Sequence, residues 1–155
     1  MSNVCCALQL ARELINHVKD QQAISVMIHW LVYIAQKVFN VYLGYRFKWS
    51  VRGPYSRGLA RDLKAGNVQE RCVCNENLRL PNIREFLEDL RSTGIRLDKA
   101  LEIAASYIML RYDVYPKPLD PLEELLKKKP HISLREAQAI ARVLNKYLVS
   151  IRERA

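Results

Sequence analysis

Six basic side chains lie between residues 46 and 64, and their spacing predicts a surface that can hold phosphate. In the helix predicted from Arg57 to Ala65, Arg57, Arg61 and Lys64 fall at i, i+4 and i+7 and therefore share one face. The first turn of such a helix also presents free backbone N–H groups and the positive end of the helix dipole. Cations beside free N–H groups suit an anion. The predicted contact residues are Arg46, Lys48, Arg52, Ser56, Arg57, Arg61 and Lys64.

The distribution of charge along the chain supports this prediction. The formal net charge is +9. Residues 44 to 64 carry six basic groups and one acidic group, and residues 117 to 155 carry nine and five. Because these two segments hold the whole excess, an anionic partner is favoured. The alternative is an ordinary solvated face, since Lys and Arg are common on protein surfaces.

A second basic patch is predicted towards the end of the sequence. Its lysines end one predicted helix and its other members line one side of the next, an arrangement that resembles a DNA-reading helix-turn-helix. The alternative is that lysines at a helix C-terminus only complement the helix dipole. The residues of this secondary basic patch are Lys127, Lys128, Lys129, Arg135, Arg142 and Lys146.

The four cysteines occur as two close pairs, Cys5-Cys6 and Cys72-x-Cys74. Two thiolates could bind zinc, but a structural zinc site needs four ligands and no further pair of suitable spacing follows. Buried cysteines or a disulfide between the pairs are therefore favoured, and no metal is predicted.

Catalytic motifs are not apparent. The sequence has no Gly-rich phosphate loop, no Gly-x-Ser-x-Gly elbow and no readable Cys–His arrangement. We therefore expect a binding module without a cofactor, not an enzyme.

The strand that would carry part of the basic surface is predicted from its alternation. Between residues 45 and 52, the apolar residues Tyr45, Phe47, Trp49 and Val51 alternate with polar ones, as in a half-buried strand. Burying the aromatic face costs less than burying the cations, so these aromatics are predicted to pack in the core and not to stack on bases. The Gly53-Pro54 pair is predicted to end the strand. Ser56 is then predicted to cap the helix that follows.

The rest of the chain predicts a mostly α fold with a small β element. That element comprises a strand at about 45–52 and a candidate hairpin at about 69–80, made of Arg71 to Cys74 and Leu78 to Leu80. Strand, helix and hairpin in this order suit a winged-helix-like arrangement. Apolar periodicity and capping signals predict the other helices at 4–19, 23–41, 81–92, 98–112, 121–128 and 134–152.

Three of these helices carry further predictions. The helix at 23–41 is apolar on most of its circumference and is therefore predicted to lie centrally. Asp98, Asp120 and Ser133 are predicted helix caps, the last two with Glu three residues later. In the last helix, apolar residues at alternating spacings of three and four predict a narrow seam against one neighbouring helix: Leu134, Ala137, Ala141, Leu144, Leu148 and Ile151.

A single domain over residues 1–155 is expected from the length and the 50% hydrophobic content. The sequence shows no secretory signal pattern, and its longest unbroken apolar run, Trp30 to Ala35, is far too short to span a bilayer. A cytoplasmic location without membrane contact is therefore expected.

A family resemblance lies in the same stretch as the basic residues. The run Gly44-Tyr45-Arg46-Phe47-Lys48-Trp49, followed by Gly53-Pro54-Tyr55-Ser56, Leu59 and Asp62-Leu63, resembles the YwgA-like family of bacterial and archaeal proteins. It is more distantly similar to the SocA-like (Panacea) antitoxin domain. The first resemblance implies a small helical protein, and the second implies protein binding, such as neutralising a toxin.

The sequence therefore leaves two alternative functions. In the first, the strand-turn-helix at 45–64 contacts the phosphates of DNA or RNA. In the second, the same surface binds an acidic protein partner as an adaptor or antitoxin-like module. Homo-oligomers are compatible with either function.

Overall fold

The computed structural model describes residues 3–14, 21–64 and 74–154, which form seven helices and a two-stranded sheet. The predicted mostly helical fold with a small β element is confirmed. Parts of three predictions, residues 15–19 of the first helix, Ala65 and the strand residues 71–73, lie outside the described residues. The elements are α1 (Asn3–Leu14), α2 (Gln21–Val38), β1 (Lys48–Ser50), β2 (Gly53–Tyr55), α3 (Arg57–Lys64), α4 (Leu80–Arg91), α5 (Leu97–Tyr112), α6 (Pro121–Lys128) and α7 (Leu134–Arg154).

Helices α2 and α5 form the centre of the core. Helix α5 packs against α2, α4, α6, α7 and β2, and α2 packs against α1, α3, α5, α7 and β2. Small residues in α5, among them Ala100, Ala104 and Ala105, are fully buried and allow neighbouring helices to approach closely. The predicted central place of α2 is confirmed, and α5 shares it.

Two helix starts agree with the predicted capping signals. The carboxylate of Asp120 accepts hydrogen bonds from the backbone N–H groups of Leu122 and Glu123 at 3.1 and 3.3 Å. At α7, the Ser133 hydroxyl accepts from the Glu136 N–H at 3.1 Å, and the Glu136 carboxylate accepts from the Ser133 N–H at 3.0 Å. Each cap satisfies backbone donors that have no partner within the helix.

The predicted caps and faces of two other helices need correction. Asp98 does not cap α5, which begins after Arg96, and its carboxylate instead accepts from Arg96 Nε at 3.0 Å. The apolar face of α7 is wider than a narrow seam because Ile140 and Tyr147 are also buried. Leu134, predicted to lie in the seam, is 52% exposed.

The predicted strand at 45–52 is wrong in its length and in its end. Strand β1 covers only Lys48–Ser50, residues 51–52 form a turn, and β2 pairs antiparallel with β1, Trp49 lying opposite Pro54. Gly53-Pro54 therefore continues the sheet, because each strand of a two-stranded sheet is an edge where Pro is tolerated. Val51 lies in the turn and is 94% exposed, so the alternation does not extend to it.

The three aromatics of the alternation pack as predicted. Tyr45, Phe47 and Trp49 are half-buried against the core. Tyr45 and Phe47 precede β1. The backbone of Tyr45 forms hydrogen bonds with the side-chain amide of Gln36, where a strand residue would form them with a neighbouring strand. Gln36 Nε2 donates to the Tyr45 carbonyl at 2.9 Å, and the Tyr45 N–H donates to Gln36 Oε1 at 3.0 Å.

The candidate hairpin at 69–80 is not supported where the structure describes it. Residues 74–79 form no strand, and Leu80, predicted to end a strand, begins α4. The Asn77 side chain accepts from the Arg79 N–H at 3.0 Å, and the left-handed backbone of Arg79 (φ 54°) turns the chain into the helix. The described sheet precedes α3, so the described residues give no wing after that helix.

A disulfide ties the N-terminal helix to the segment before α4. It joins Cys6 of α1 to Cys74, with the two Cα atoms 4.8 Å apart. The sequence left buried cysteines and a disulfide between the pairs as alternatives, and the structure shows the disulfide. No helix within 3–14, 21–64 or 74–154 has the length and apolar character needed to cross a membrane.

Candidate nucleic-acid interface

A cleft of about 590 Å³ lies between the segment before β1 and the first turn of α3. We call it the α3 cleft. Tyr45 and Tyr55 form its aromatic walls, and the start of α3 forms one end. The full lining is Gly44, Tyr45, Arg46, Lys48, Tyr55, Ser56, Arg57, Gly58, Arg61 and Asp62.

Four of the predicted basic contact residues line this cleft together. Arg46, Lys48, Arg57 and Arg61 are all exposed, and none forms an ion pair with a carboxylate in the described part of the chain. Uncompensated positive charges that share a cleft attract an anion from solution. The positive charge of the cleft therefore favours binding of a polyanion.

The single acidic residue of the lining is already engaged. Asp62 accepts a hydrogen bond from the Tyr45 hydroxyl at 2.7 Å. Partial burial, together with this bond to a carboxylate, raises the pKa of Tyr45, so the phenol keeps its proton. Asp62 thereby fixes the position of the Tyr45 side chain, which forms one wall of the cleft.

The first turn of α3 adds backbone donors to the cations. The Ser56 hydroxyl accepts from the Leu59 N–H at 3.1 Å, and the Ser56 carbonyl accepts from the Ala60 N–H at 3.0 Å. The N–H groups of Arg57 and Gly58 precede these bonds, have no acceptor within the helix and belong to residues of the cleft. They add the positive end of the helix dipole to the site.

Gly58 keeps the backbone of this turn open. A Cβ atom at this position would lie 3.7 Å from Tyr45 Cδ1 and 3.9 Å from Arg61 Nη2. These are ordinary contact distances, so the fold tolerates alanine. The absent methyl group leaves the N–H groups accessible from the cleft.

Helix α2 positions the Tyr45 wall of the cleft and the end formed by α3. It holds Tyr45 through Gln36, and it holds the start of α3 through His29, whose Nδ1 accepts from the Ser56 N–H at 3.1 Å. Leu59 is fully buried and anchors α3 to the core. The cations thus project from a framework set by buried residues.

Three predicted contact residues have different roles. Ser56 is only 1% exposed and its hydroxyl caps α3, so it does not offer this hydroxyl to a ligand. Arg52 lies in the hairpin turn, where its carbonyl accepts from Trp30 Nε1 at 2.8 Å, and it does not line the α3 cleft. Lys64 ends α3 and is also absent from the lining. Arg52 is separated from the other cations by its place in the hairpin turn, and Lys64 by its place at the far end of α3.

The secondary basic patch is not one surface. Lys129 is 2% exposed: its Nζ lies 2.9 Å from Glu102 Oε2 and donates to the Val51 carbonyl at 3.0 Å. It also lies 5.8 Å from the centre of the Trp49 ring. The prediction of Lys129 as a contact residue is wrong, because its ammonium group is buried and bound to Glu102 and Val51.

The other members of this patch also differ from one another. Lys146 pairs with Glu85 at 2.7 Å and Asp89 at 3.3 Å, and Lys128 lies 3.7 Å from Glu124. Within the described residues, exposed cations without an ion pair in this patch are Lys127, Arg135 and Arg142. Local compensation by carboxylates weakens the patch as an anion site.

A second cavity, of about 460 Å³, lies between α2 and the hairpin. We call it the hairpin cavity. The sequence did not predict its two aromatic residues, His29 and Tyr55, as site residues, because they are distant in the chain and only the fold brings their rings together. Their rings are stacked, with centroids 4.7 Å apart and planes 9° apart. The full lining is Ser25, Val26, His29, Ser50, Val51, Arg52, Pro54 and Tyr55.

His29 is neutral at physiological pH. Its side chain is 2% exposed, and burial lowers its pKa to about 4. Its Nε2 atom is buried and has no hydrogen-bond partner in the part of the chain that the structure describes. For a metal, no group of three or more His, Cys, Asp or Glu side chains comes together within the described ranges.

Comparison with known proteins gives no family: no family model, curated protein or solved structure matches the chain. The resemblance to the YwgA-like family therefore stays a prediction.

Proposed function

We propose that this protein is a non-enzymatic module that binds nucleic-acid phosphates in the α3 cleft. The observation that carries the proposal is that Arg46, Lys48, Arg57 and Arg61 line one cleft at the start of α3. The first N–H groups of this helix have no acceptor within the helix. Nothing in the proposal requires a cofactor.

The donor set of the cleft suits phosphate in particular. Three guanidinium groups offer planar pairs of donors that match two oxygens of a phosphate, and Lys48 adds a point charge. Backbone N–H groups at a helix start are the second element common to phosphate sites. The cleft is also larger than one phosphate, as a backbone of successive phosphates requires.

The test is the salt dependence of binding. We would measure fluorescence anisotropy of labelled single-stranded and duplex oligonucleotides over a series of salt concentrations. Affinity should fall steeply with salt, because each neutralised phosphate releases counterions. An Arg57→Ala, Arg61→Ala double variant should bind more weakly and lower the salt slope by about two, about one for each cation removed.

The matched control removes the same charge elsewhere. Arg135 and Arg142 are exposed on α7, so an Arg135→Ala, Arg142→Ala variant has the same net charge as the cleft variant. It should retain most of the wild-type affinity. Equal losses in both variants would show that only net charge matters and would overturn the site.

A variant that leaves every charge in place separates cleft shape from charge. Gly58→Ala should fold normally and gain about 0.5–1 kcal/mol of stability, as expected for Gly to Ala in a helix. Its methyl group should nevertheless weaken nucleic-acid binding by narrowing access to the N–H groups. Absence of binding by the wild type at low salt would overturn the proposal and favour an acidic protein as partner.

A further inference from the structure

Tyr55 belongs to the lining of both cavities, so the α3 cleft and the hairpin cavity meet at one aromatic ring. One face of this ring is covered by His29, yet Tyr55 is 44% exposed. The exposed part therefore comes from the other face and the edges. An exposed aromatic beside cations is the combination that single-strand binding surfaces use to stack bases.

The hairpin cavity has the character of a site for a small, flat, mostly apolar group. Val26, Val51 and Pro54 contribute apolar surface, and the hydroxyl-bearing Ser25 and Ser50 lie in the same lining. Val51 is 94% exposed at the hairpin turn, so apolar surface at the rim faces water. Apolar walls with a few polar groups are typical of ligand sites.

His29 gives this cavity one specific polar feature. Because the Ser56 N–H donates to Nδ1, that nitrogen carries no proton in the neutral ring, and the proton must be on Nε2. The Nε2–H is thus a buried donor that lacks an acceptor in the described part of the chain. Buried donors are normally paired, so a ligand acceptor would complete the site.

We infer that the hairpin cavity receives one unpaired nucleobase of a single strand whose phosphates lie in the α3 cleft. A base offers a flat, mostly apolar ring for the exposed edge of Tyr55 and the apolar walls, and its carbonyl or ring nitrogen offers an acceptor for the His29 Nε2–H. In a duplex the base is stacked and paired and cannot enter. This inference rests on the proposed function, and it makes single strands the preferred ligand.

The experiment compares three probes with about the same number of phosphates. They are a labelled thymidine oligonucleotide, an abasic strand of the same length and a duplex of half that length. At one salt concentration, the thymidine strand should bind about tenfold more tightly than the abasic strand or the duplex, as expected for contact of one base with an aromatic side chain. Tyr55→Leu should lower thymidine-strand affinity by about tenfold more than abasic-strand affinity and so remove this preference, and Tyr55→Phe should retain it.

A second variant tests the polar contact. His29→Asn can still accept from the Ser56 N–H but lacks a ring N–H. It should weaken binding of the thymidine strand more than binding of the abasic strand. In proton NMR of the wild type, the His29 ring N–H signal should shift on adding the thymidine strand and not the abasic strand.

The outcomes separate the two proposals. Equal, salt-dependent binding of all three probes would overturn the base site and leave the phosphate site intact. Binding of none of them would overturn both. A preference for the thymidine strand that survives Tyr55→Leu would place the base elsewhere and would also overturn the inference.

Discussion

The Nζ atom of Lys129 lies 3.0 Å from the carbonyl oxygen of Val51, 78 residues earlier in the chain. This bond joins the segment after α6 to the turn of the β hairpin. The same ammonium group pairs with Glu102 of α5 at 2.9 Å. One buried lysine therefore holds the hairpin against the central helix.

Removing this lysine should destabilise the protein. We expect Lys129→Met to lower the free energy of unfolding by about 3–5 kcal/mol, since it leaves the Glu102 carboxylate without its buried partner. The neighbouring Lys127 is exposed, so Lys127→Met should change stability by no more than about 0.5 kcal/mol. Denaturant unfolding followed by circular dichroism would measure both. Equal stability of the two variants would mean that Lys129 is solvated.

Gly53 should not tolerate a side chain. Its φ is +99°, and a Cβ atom would lie 2.7 Å from Ser106 Oγ and 3.3 Å from Trp30 Nε1. We expect Gly53→Ala to cost about 3 kcal/mol or more, from backbone strain and overpacking together.

Two variants would separate the causes at Gly53. Gly94 has φ +80°, and a Cβ atom there would meet no atom of the described residues within 4 Å. Gly94→Ala should therefore show the backbone cost alone, about 1–2 kcal/mol. Adding Ser106→Ala to Gly53→Ala should recover part of the loss by removing the nearest atom. Thermal unfolding would measure each, and a Gly53→Ala protein no less stable than Gly94→Ala would contradict the steric argument.

Stability should fall in mild acid because of His29. Burial holds its pKa at about 4, against 6.5 for an unperturbed histidine, so the unfolded chain binds the extra proton between these values. The contribution is fully present above about pH 6.5 and is lost as pH falls towards 4. It amounts to roughly 3 kcal/mol, because one pKa unit corresponds to 1.36 kcal/mol.

The matched variant for this pH effect is His29→Asn, which does not titrate in this range. The difference in unfolding free energy between wild type and variant should shrink or reverse between pH 6.5 and 4. A difference independent of pH would show that His29 is not held neutral. Protonation of Nδ1 in the folded protein would also break the bond from the Ser56 N–H, so the start of α3 should lose this contact near and below pH 4.

The Cys6–Cys74 disulfide should be detectable directly. Digestion without a reductant should give a linked peptide pair that contains both residues, and the pair should separate when dithiothreitol is added. Reduction should also lower the free energy of unfolding by about 2–5 kcal/mol, because it releases a long closed loop. Recovery of Cys6 and Cys74 as free thiols from the oxidised protein would contradict this pairing.

Local chemistry was predictable from the sequence, and long-range pairing was not. The Asp120 and Ser133 caps were predicted because donor and acceptor lie within three residues of each other. The burial of Lys129 depends on Glu102 and Val51, which are distant in the chain, and no local pattern reveals it.

The candidate site shows the same division. The shared face of Arg57 and Arg61 follows from helical spacing, and the structure brings Arg46 and Lys48 to the same cleft. Arg52 lies outside the α3 cleft because Gly53-Pro54 continues a hairpin and does not end a strand as predicted. Likewise, the stacking of His29 on Tyr55 requires the hairpin to fold back on α2, which residue spacing does not specify.

The two hydrogen bonds between the Gln36 amide and the Tyr45 backbone have a consequence for the energetics of binding. A neighbouring strand would offer the same donor and acceptor, but here they come from a helix in the core. The conformational entropy of this wall is therefore lost when the protein folds and not when a ligand arrives. This side of the cleft therefore has its binding conformation before a ligand arrives.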